Sequence, residues 1–227
     1  MMINTKMDTK MMANTKNTKT KLIIFDYDGV IVDSIPLIKS FYDMIIEKYN
    51  KKRVLTLDEF RKIMELEWWK TLKAVGFTTD DEITQISREF HLYMTEYRDR
   101  ISLINGMKDV IEKLWKNYKL AIVSNSREDF ITERLSYFNM LYRFEFVVDN
   151  SYGLKPEPTQ IHVCLKKLGI KPEEAVMIGD MEGDIVAAKK AGLKKTIGVT
   201  FGAHHKERLN IADAIAHAPE EILGLVE

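Results

Sequence analysis

The chain has 227 residues, of which 45% are apolar and 30% are charged, the usual proportions of a globular protein. Its 34 basic and 34 acidic residues give a formal net charge of zero, which argues against a nucleic-acid or membrane-surface partner. The single cysteine, Cys164, excludes an internal disulfide, and no apolar run reaches the roughly 20 residues that span a bilayer. We expect a cytoplasmic protein with one large domain, or a core and a small insert; the sequence does not indicate an oligomeric state.

The first 20 residues differ from the rest of the chain. They repeat Asn/Asp-Thr-Lys four times and lack the continuous apolar region of a secretory signal. Because they cannot bury enough apolar surface to become ordered, we predict a disordered tail at 1–20.

Short apolar runs follow, and several end in a polar residue. They lie at 22–25, 120–123, 144–148, 175–178 and 196–199. Runs of this length suit strands that are buried on both faces, and helical stretches at 107–117, 157–168 and 181–191 separate them. This alternation predicts an α/β protein with a doubly wound, Rossmann-like parallel sheet, whose ligands lie outside the carboxyl ends of the strands.

Residues 34–102 interrupt this alternation, because they show helical spacing and no convincing strand. A first helix is expected at 34–49. Capping boxes at 56–59 and 79–82 predict a second helix that continues through Trp68 and a third that reaches Tyr97. We predict a small all-helical cap at 34–102, inserted after the first strand of a core formed by 21–33 and 103–227.

Two pairs of carboxylates follow predicted strands. Asp26 and Asp28 are two residues apart, so an extended chain points both the same way. Asp180 and Asp184 are four apart and neighbour each other on one helix face. Each pair alone also fits an acidic turn or the first turn of a helix. Close carboxylates must share a cation or a proton, and magnesium suits such oxygen ligands.

Three further segments carry polar groups with two interpretations each. Ser124-Asn125-Ser126 is either a helix cap that uses Ser126, or a hydroxyl with main-chain N–H groups that hold phosphate. Lys155 stands either in a loop before a helix or in a site whose negative charge it neutralises. The His204-His205 pair is interpreted as a solvated turn.

Together, and in this order, these residues resemble the haloacid dehalogenase-like superfamily. Its pattern is Asp-x-Asp-x-(Thr/Val), Ser/Thr, Lys and Gly-Asp-x-x-x-Asp, and the resemblance covers residues 21–227. The segment from Phe25 to Ser34 is similar to the branch of phosphoglycolate phosphatase and β-phosphoglucomutase, in which a helical cap follows the first motif.

The resemblance implies a magnesium-dependent phosphatase that acts on a small phosphorylated molecule through an aspartyl-phosphate intermediate. Asp26 is then the nucleophile, Asp28 the general acid and base, and Lys155 the residue that steadies the charge. Substrate phosphate is expected at Ser124, Asn125 and Gly29. The implied ligands of Mg²⁺ are Asp26, Asp28, Asp180 and Asp184.

Other functions on the same fold stay open, with less support. A phosphomutase usually carries a histidine where this chain has Ile38, and Glu-Asp where it has Gly179-Asp180. Dehalogenases and phosphonate hydrolases lack the second aspartate, which is present here as Asp28. A non-catalytic binding protein would typically have lost a motif residue, and none is lost. Phosphoglycolate, pyrophosphate, sugar phosphates and nucleoside monophosphates all remain candidate substrates.

Overall fold

A parallel sheet forms the centre of the molecule. The computed structural model describes residues 18–51 and 56–227. The six strands of the sheet run parallel in the order β5-β4-β1-β6-β7-β8. They are β1 (Leu22–Phe25), β4 (Lys119–Val123), β5 (Phe146–Val148), β6 (Ala175–Gly179), β7 (Lys195–Val199) and β8 (Ala214–Ala216). The predicted strands are all present, and the doubly wound α/β core is confirmed.

Helices cover both faces of this sheet, which explains its continuous apolar strands. They are α5 (Met107–Trp115), α6 (Glu128–Tyr137), α7 (Thr159–Leu168), α8 (Glu182–Lys190) and the short α9 (Lys206–Leu209). In β1, Ile23 and Phe25 pack into one hydrophobic cluster and Leu22 and Ile24 into another, because successive side chains point to opposite faces. The first cluster continues into the cap, so cap and core share buried surface.

The cap consists of α1 (Ile35–Lys48), α2 (Leu57–Ile63), α3 (Trp68–Ala74) and α4 (Asp80–Glu96). Both predicted capping boxes are present, at Thr56 and Thr79. The prediction that the second helix continues through Trp68 is wrong: α2 ends at Ile63 and Met64 is extended. An N–H···O bond of 3.0 Å from Glu65 to the Thr71 hydroxyl holds the break between the two helices.

Two very short strands connect cap and core. They are β2 (Val32–Asp33) and β3 (Ser102–Leu103), which pair antiparallel, with Asp33 opposite Ser102. The sequence did not predict them, because two residues carry too little pattern. The buried guanidinium of Arg134 donates to the Ile101 carbonyl at 2.8 Å and fixes the returning chain beside this pair. The predicted ranges 21–33, 34–102 and 103–227 stay predictions.

The predicted tail lies largely outside the described residues. The prediction of disorder is wrong for its last residue, Thr20. This residue is 4% exposed, and its hydroxyl donates to the Val226 carbonyl at 2.9 Å. The ordered chain therefore includes at least this residue of the predicted tail. Within 18–51 and 56–227, no helix is both long and apolar enough to cross a membrane. The cytoplasmic location stays a prediction.

Candidate active site

Three carboxylates converge where β1 and β6 end. Asp26 follows β1, Asp180 follows β6, and Asp184 lies in the first turn of α8. One oxygen from each lies within 4.8 Å of the others, and all three residues are buried. Because β1 and β6 are parallel neighbours, the sheet brings together residues about 150 positions apart, as the sequence predicted.

Lys155 is the cation of this cluster. Its fully buried ammonium donates to the Asp26 carboxylate at 2.7 Å and to the Val123 carbonyl at 3.0 Å, and lies 2.6 Å from Asp184. Burial lowers the pKa of Lys155, but Asp184 and Asp26 raise it more, and the net pKa lies above its ordinary value. Lys155 is therefore a permanent positive charge beside Asp26.

One lysine does not neutralise three carboxylates, since three negative charges and one positive charge leave a formal charge of −2. Burial, with Asp26 and Asp184 nearby, raises the pKa of Asp180 well above its ordinary value. Burial also raises the pKa of Asp26 to about 7. Among the described residues, Asp180 Oδ1 has no hydrogen-bond partner although it is buried. Such a cluster fits a hard divalent cation, which accepts carboxylate oxygens and removes this excess charge.

Two glycines leave room for Asp180. Gly29 has a φ of +74°, and a Cβ there would lie 2.1 Å from Asp180 Oδ2. A Cβ at Gly202 would lie 2.3 Å from the same oxygen. That oxygen accepts from the Ala203 N–H at 2.6 Å. Gly29 was predicted to bind substrate phosphate; the structure shows that it is needed for close packing against a carboxylate.

Asp28 lies outside the three-carboxylate cluster. Its two oxygens accept hydrogen bonds from the hydroxyls of Ser34, at 2.6 Å, and Ser126, at 2.5 Å. Burial raises the pKa of Asp28, although both hydrogen bonds act in the opposite direction. A raised pKa makes the protonated form of this carboxyl group more accessible than it is in water, as a proton donor requires. Sequence reasoning missed these two serines as partners of Asp28.

The segment after β4 holds the remaining predicted residues. Ser124 is buried, and its hydroxyl accepts from the Ser126 N–H at 3.1 Å. Ser126 does not cap a helix; α6 follows Arg127. The Asn125 side chain accepts from the main-chain N–H of Lys155 at 2.9 Å and donates to its carbonyl at 3.1 Å. This amide therefore positions Lys155, a contact that the sequence did not predict.

Comparison with known proteins places this arrangement in a family. The family model described as haloacid dehalogenase-like hydrolase matches residues 23–199. This chain belongs to that family. The matched range holds all the carboxylates described above, together with Ser124 and Lys155. The predicted resemblance is therefore confirmed, as is the prediction of a phosphoric monoester hydrolase at the level of the family.

Relatives of this hydrolase are named phosphatases. The phosphoglycolate phosphatase of Haemophilus influenzae is 29% identical over 203 residues, which cover 83% of this chain and 89% of the relative. The pyrophosphatase PpaX of Listeria monocytogenes is 29% identical over 194 residues, covering 84% and 88%. A crystal structure of a predicted phosphoglycolate phosphatase from Haemophilus somnus has a TM-score of 0.76 at 24% identity, covering 93% and 100%, and shows the shared fold.

A contact between cap and core was also missed. The prediction of a solvated turn is wrong for His204, which is 1% exposed. Its Nδ1 accepts from the Glu182 N–H at 3.0 Å and its Nε2 donates to the Met64 carbonyl at 2.8 Å. Arg208 donates to both carboxylate oxygens of Glu65, each at 3.0 Å. Through His204, the segment between α2 and α3 of the cap is therefore hydrogen-bonded to the start of α8, the helix that carries Asp184.

Proposed function

We propose that this hydrolase is a magnesium-dependent phosphatase of small phosphomonoesters that works through an aspartyl-phosphate intermediate. The observation that carries the proposal is the pairing of two different carboxylates on one strand end. Asp26 lies against a buried lysine and two further carboxylates, whereas Asp28 is held by two hydroxyl groups. The first environment suits a nucleophile at a cation site, and the second suits a proton carrier.

In the first step, an Asp26 carboxylate oxygen attacks phosphorus and the bond between phosphorus and the leaving oxygen breaks. Asp28, protonated at this stage, gives its proton to that oxygen, so that the alcohol leaves neutral. The raised pKa of Asp28 supports this role. Lys155 offsets negative charge on Asp26 and on the phosphoryl oxygens.

In the second step, water attacks the phosphorus of the aspartyl phosphate. Asp28, now ionised, takes the proton of that water, the bond between Asp26 and phosphorus breaks, and phosphate leaves. Ser34 and Ser126 keep the Asp28 carboxylate in one orientation for both steps. The Ser124 hydroxyl and the main-chain N–H groups after β4 are proposed to hold the phosphoryl oxygens, near Gly29.

Magnesium is proposed to bind Asp26, Asp180 and the main-chain carbonyl of Asp28, with Asp184 nearby. When bound, it supplies positive charge that offsets the phosphoryl oxygens. The unpaired Asp180 Oδ1 and the excess negative charge support this choice. The cap, proposed to comprise 34–102, would exclude bulk water and choose the substrate. Its Ile38, where the resemblance places the histidine of a mutase, cannot carry a proton.

The test is release of inorganic phosphate from p-nitrophenyl phosphate and a panel of phosphorylated metabolites. We expect turnover in Mg²⁺, loss of turnover in excess EDTA, and recovery when Mg²⁺ is restored. Phosphate released at an undiminished rate after exhaustive dialysis against EDTA would contradict the metal requirement. An absence of turnover with every ester would contradict the proposed function itself.

A further inference from the structure

A cavity of about 630 Å³ lies between the core and the cap. Its floor includes Asp26, Asp28, Ser124 and Asn125, so it opens directly on the proposed nucleophile. Cavities of about 300–1,000 Å³ are typical of sites that enclose most of a small organic ligand. A two-carbon acid attached to a phosphate would leave most of this volume unfilled.

The walls that the cap contributes are mostly apolar. Of their two buried polar side chains, Tyr42 already donates to the Trp68 carbonyl at 3.4 Å and Thr71 already accepts from the Glu65 N–H at 3.0 Å. The apolar side chains of the wall come from all four cap helices and are mostly buried: Ile38, Phe41, Phe60, Leu72, Ile86 and Phe90. Hydroxyl, carboxylate and amide groups of a substrate would lose water against these six side chains without gaining a partner, which is costly. Hydrocarbon would gain free energy in proportion to the apolar area that it buries.

Apart from Lys155 behind Asp26, the basic side chains at the cavity are exposed. Of the described residues that line it, the basic ones are Arg88, His91 and Arg127, and all three are exposed. Arg127 is already paired with Asp129, through contacts of 3.0 and 2.6 Å. The buried walls therefore offer no cation to a second acidic group on the substrate.

Building on the phosphatase function above, we propose that the preferred substrates are phosphate monoesters of largely apolar alcohols. The phosphate lies at Asp26, and the hydrocarbon part of the alcohol fills the cavity beneath the cap. The chemistry of the bond is the one already given: the leaving oxygen takes its proton from Asp28. The cavity determines which alcohol is preferred, because it buries a hydrocarbon chain or ring against the cap helices.

The test uses n-alkyl phosphates from methyl to hexyl, whose leaving alcohols differ little in basicity. We expect kcat/KM to rise about fourfold for each added methylene until the cavity is filled, since each buried methylene favours binding by a constant amount. Hexyl phosphate should also surpass phosphoglycolate, glycerol phosphate and nucleoside monophosphates. A flat or falling series, or a preference for phosphoglycolate or for a nucleotide, would overturn the inference.

A pair of matched variants locates the effect. Ile38→Thr puts a hydroxyl on the cavity wall, whereas Ile46→Thr makes the same change on the same helix at a buried residue that does not line the cavity. We expect the ratio of kcat/KM for hexyl over methyl phosphate to fall about tenfold in Ile38→Thr and to stay at the wild-type value in Ile46→Thr. The ratio cancels any difference in the fraction of folded enzyme. Equal ratios in both variants would overturn the inference.

The two proposals fail in different ways. If neither p-nitrophenyl phosphate nor any alkyl phosphate is hydrolysed, the phosphatase function falls, and the inference falls with it. If these esters are hydrolysed but the rate does not depend on chain length, the phosphatase function stands and only the inference about apolar alcohols is wrong.

Discussion

The core and the cap face the same cavity with opposite chemistry. On the core side, Asp26, Asp28 and Lys155 are held by short hydrogen bonds and ion pairs, each to identified partners. On the cap side, the buried wall is mostly hydrocarbon, which does not fix the orientation of a bound group. The difference teaches that bond breaking and substrate choice depend mainly on separate parts of the chain, with Ser34 as the exception, because it begins the predicted cap range and binds Asp28. Mutation of the cavity wall should therefore change substrate choice without changing bond breaking.

The largest effect is expected from Asp26→Asn, which changes a residue of the core and leaves the cap unchanged. An amide keeps the shape and still accepts from Lys155, but it is a very poor nucleophile. We expect kcat to fall at least about a thousandfold for every substrate, about 4 kcal/mol of barrier, while the variant still unfolds in one cooperative thermal transition. Steady-state kinetics and thermal unfolding measure the two quantities. Retention of more than about a tenth of the activity would rule out Asp26 as the nucleophile.

A smaller and substrate-dependent loss is expected from Asp28→Asn. General acid catalysis is worth about 10²–10⁴-fold, and alkoxide leaving groups need it more than p-nitrophenolate. The variant should therefore lose alkyl phosphate turnover more than formation of nitrophenolate. Because Asp28 also activates water, rapid quench with p-nitrophenyl phosphate should show a burst of one equivalent followed by slow turnover. Wild-type rates with alkyl phosphates and no burst would reduce Asp28 to a structural acid.

Metal binding should change the pH dependence of stability. Burial raises the pKa of Asp26 from 3.8 to about 7, so the metal-free native state holds a proton that the unfolded state has lost between these values. The stability of the EDTA-treated protein should fall as the pH rises through this range. Magnesium favours the ionised carboxylates, and should raise the melting temperature more at about pH 7.5 than at about pH 5. Equal shifts at both pH values would contradict this account.

The smallest effect is expected where cap and core touch. Arg208→Met removes the contacts with Glu65, with Glu182 and with the Met64 carbonyl, and a partly exposed ion pair is worth at most about 1 kcal/mol. We expect KM to rise by about fivefold or less, with kcat nearly constant. Arg143→Met is the matched control, because it removes a similar pair with Glu112 that does not line the cavity. Identical kinetics in both variants would mean that the contact of Arg208 does not set the position of the cap.

Sequence predicted the core better than the cap. Buried strands show as unbroken apolar runs, and residues at their carboxyl ends must converge, so Asp26 and Asp180 could be placed together from pattern alone. The contact of His204 with Met64 joins residues 140 apart on two different layers, and no periodicity records it. The break between α2 and α3 has the same origin: the chain leaves the helix to reach the core, against a local pattern that favours continuation.

The partnership of Asp28 with two serines was missed for another reason. Ser34 is close in sequence, but Ser126 reaches Asp28 only because β4 lies beside β1. A serine just before a predicted helix is usually a cap, and that local interpretation competed with the true contact. The acceptor to which a serine hydroxyl donates therefore depends on which residues the sheet places beside it, and the local sequence does not contain that information.

The pairing of β2 with β3 makes the cap an exchangeable unit. The chain leaves the core at Asp33 and returns at Ser102, and these two residues lie opposite each other in the β2–β3 pair. From the side of the core, everything between them is a closed loop, and lengthening such a loop costs little conformational entropy. A different helical segment that begins with a serine at position 34 can therefore replace the cap without displacing a core strand or removing the hydrogen bond to Asp28. Because the cap is one continuous segment of the chain, exchange of the single gene segment that encodes it can give the same hydrolytic centre new substrates.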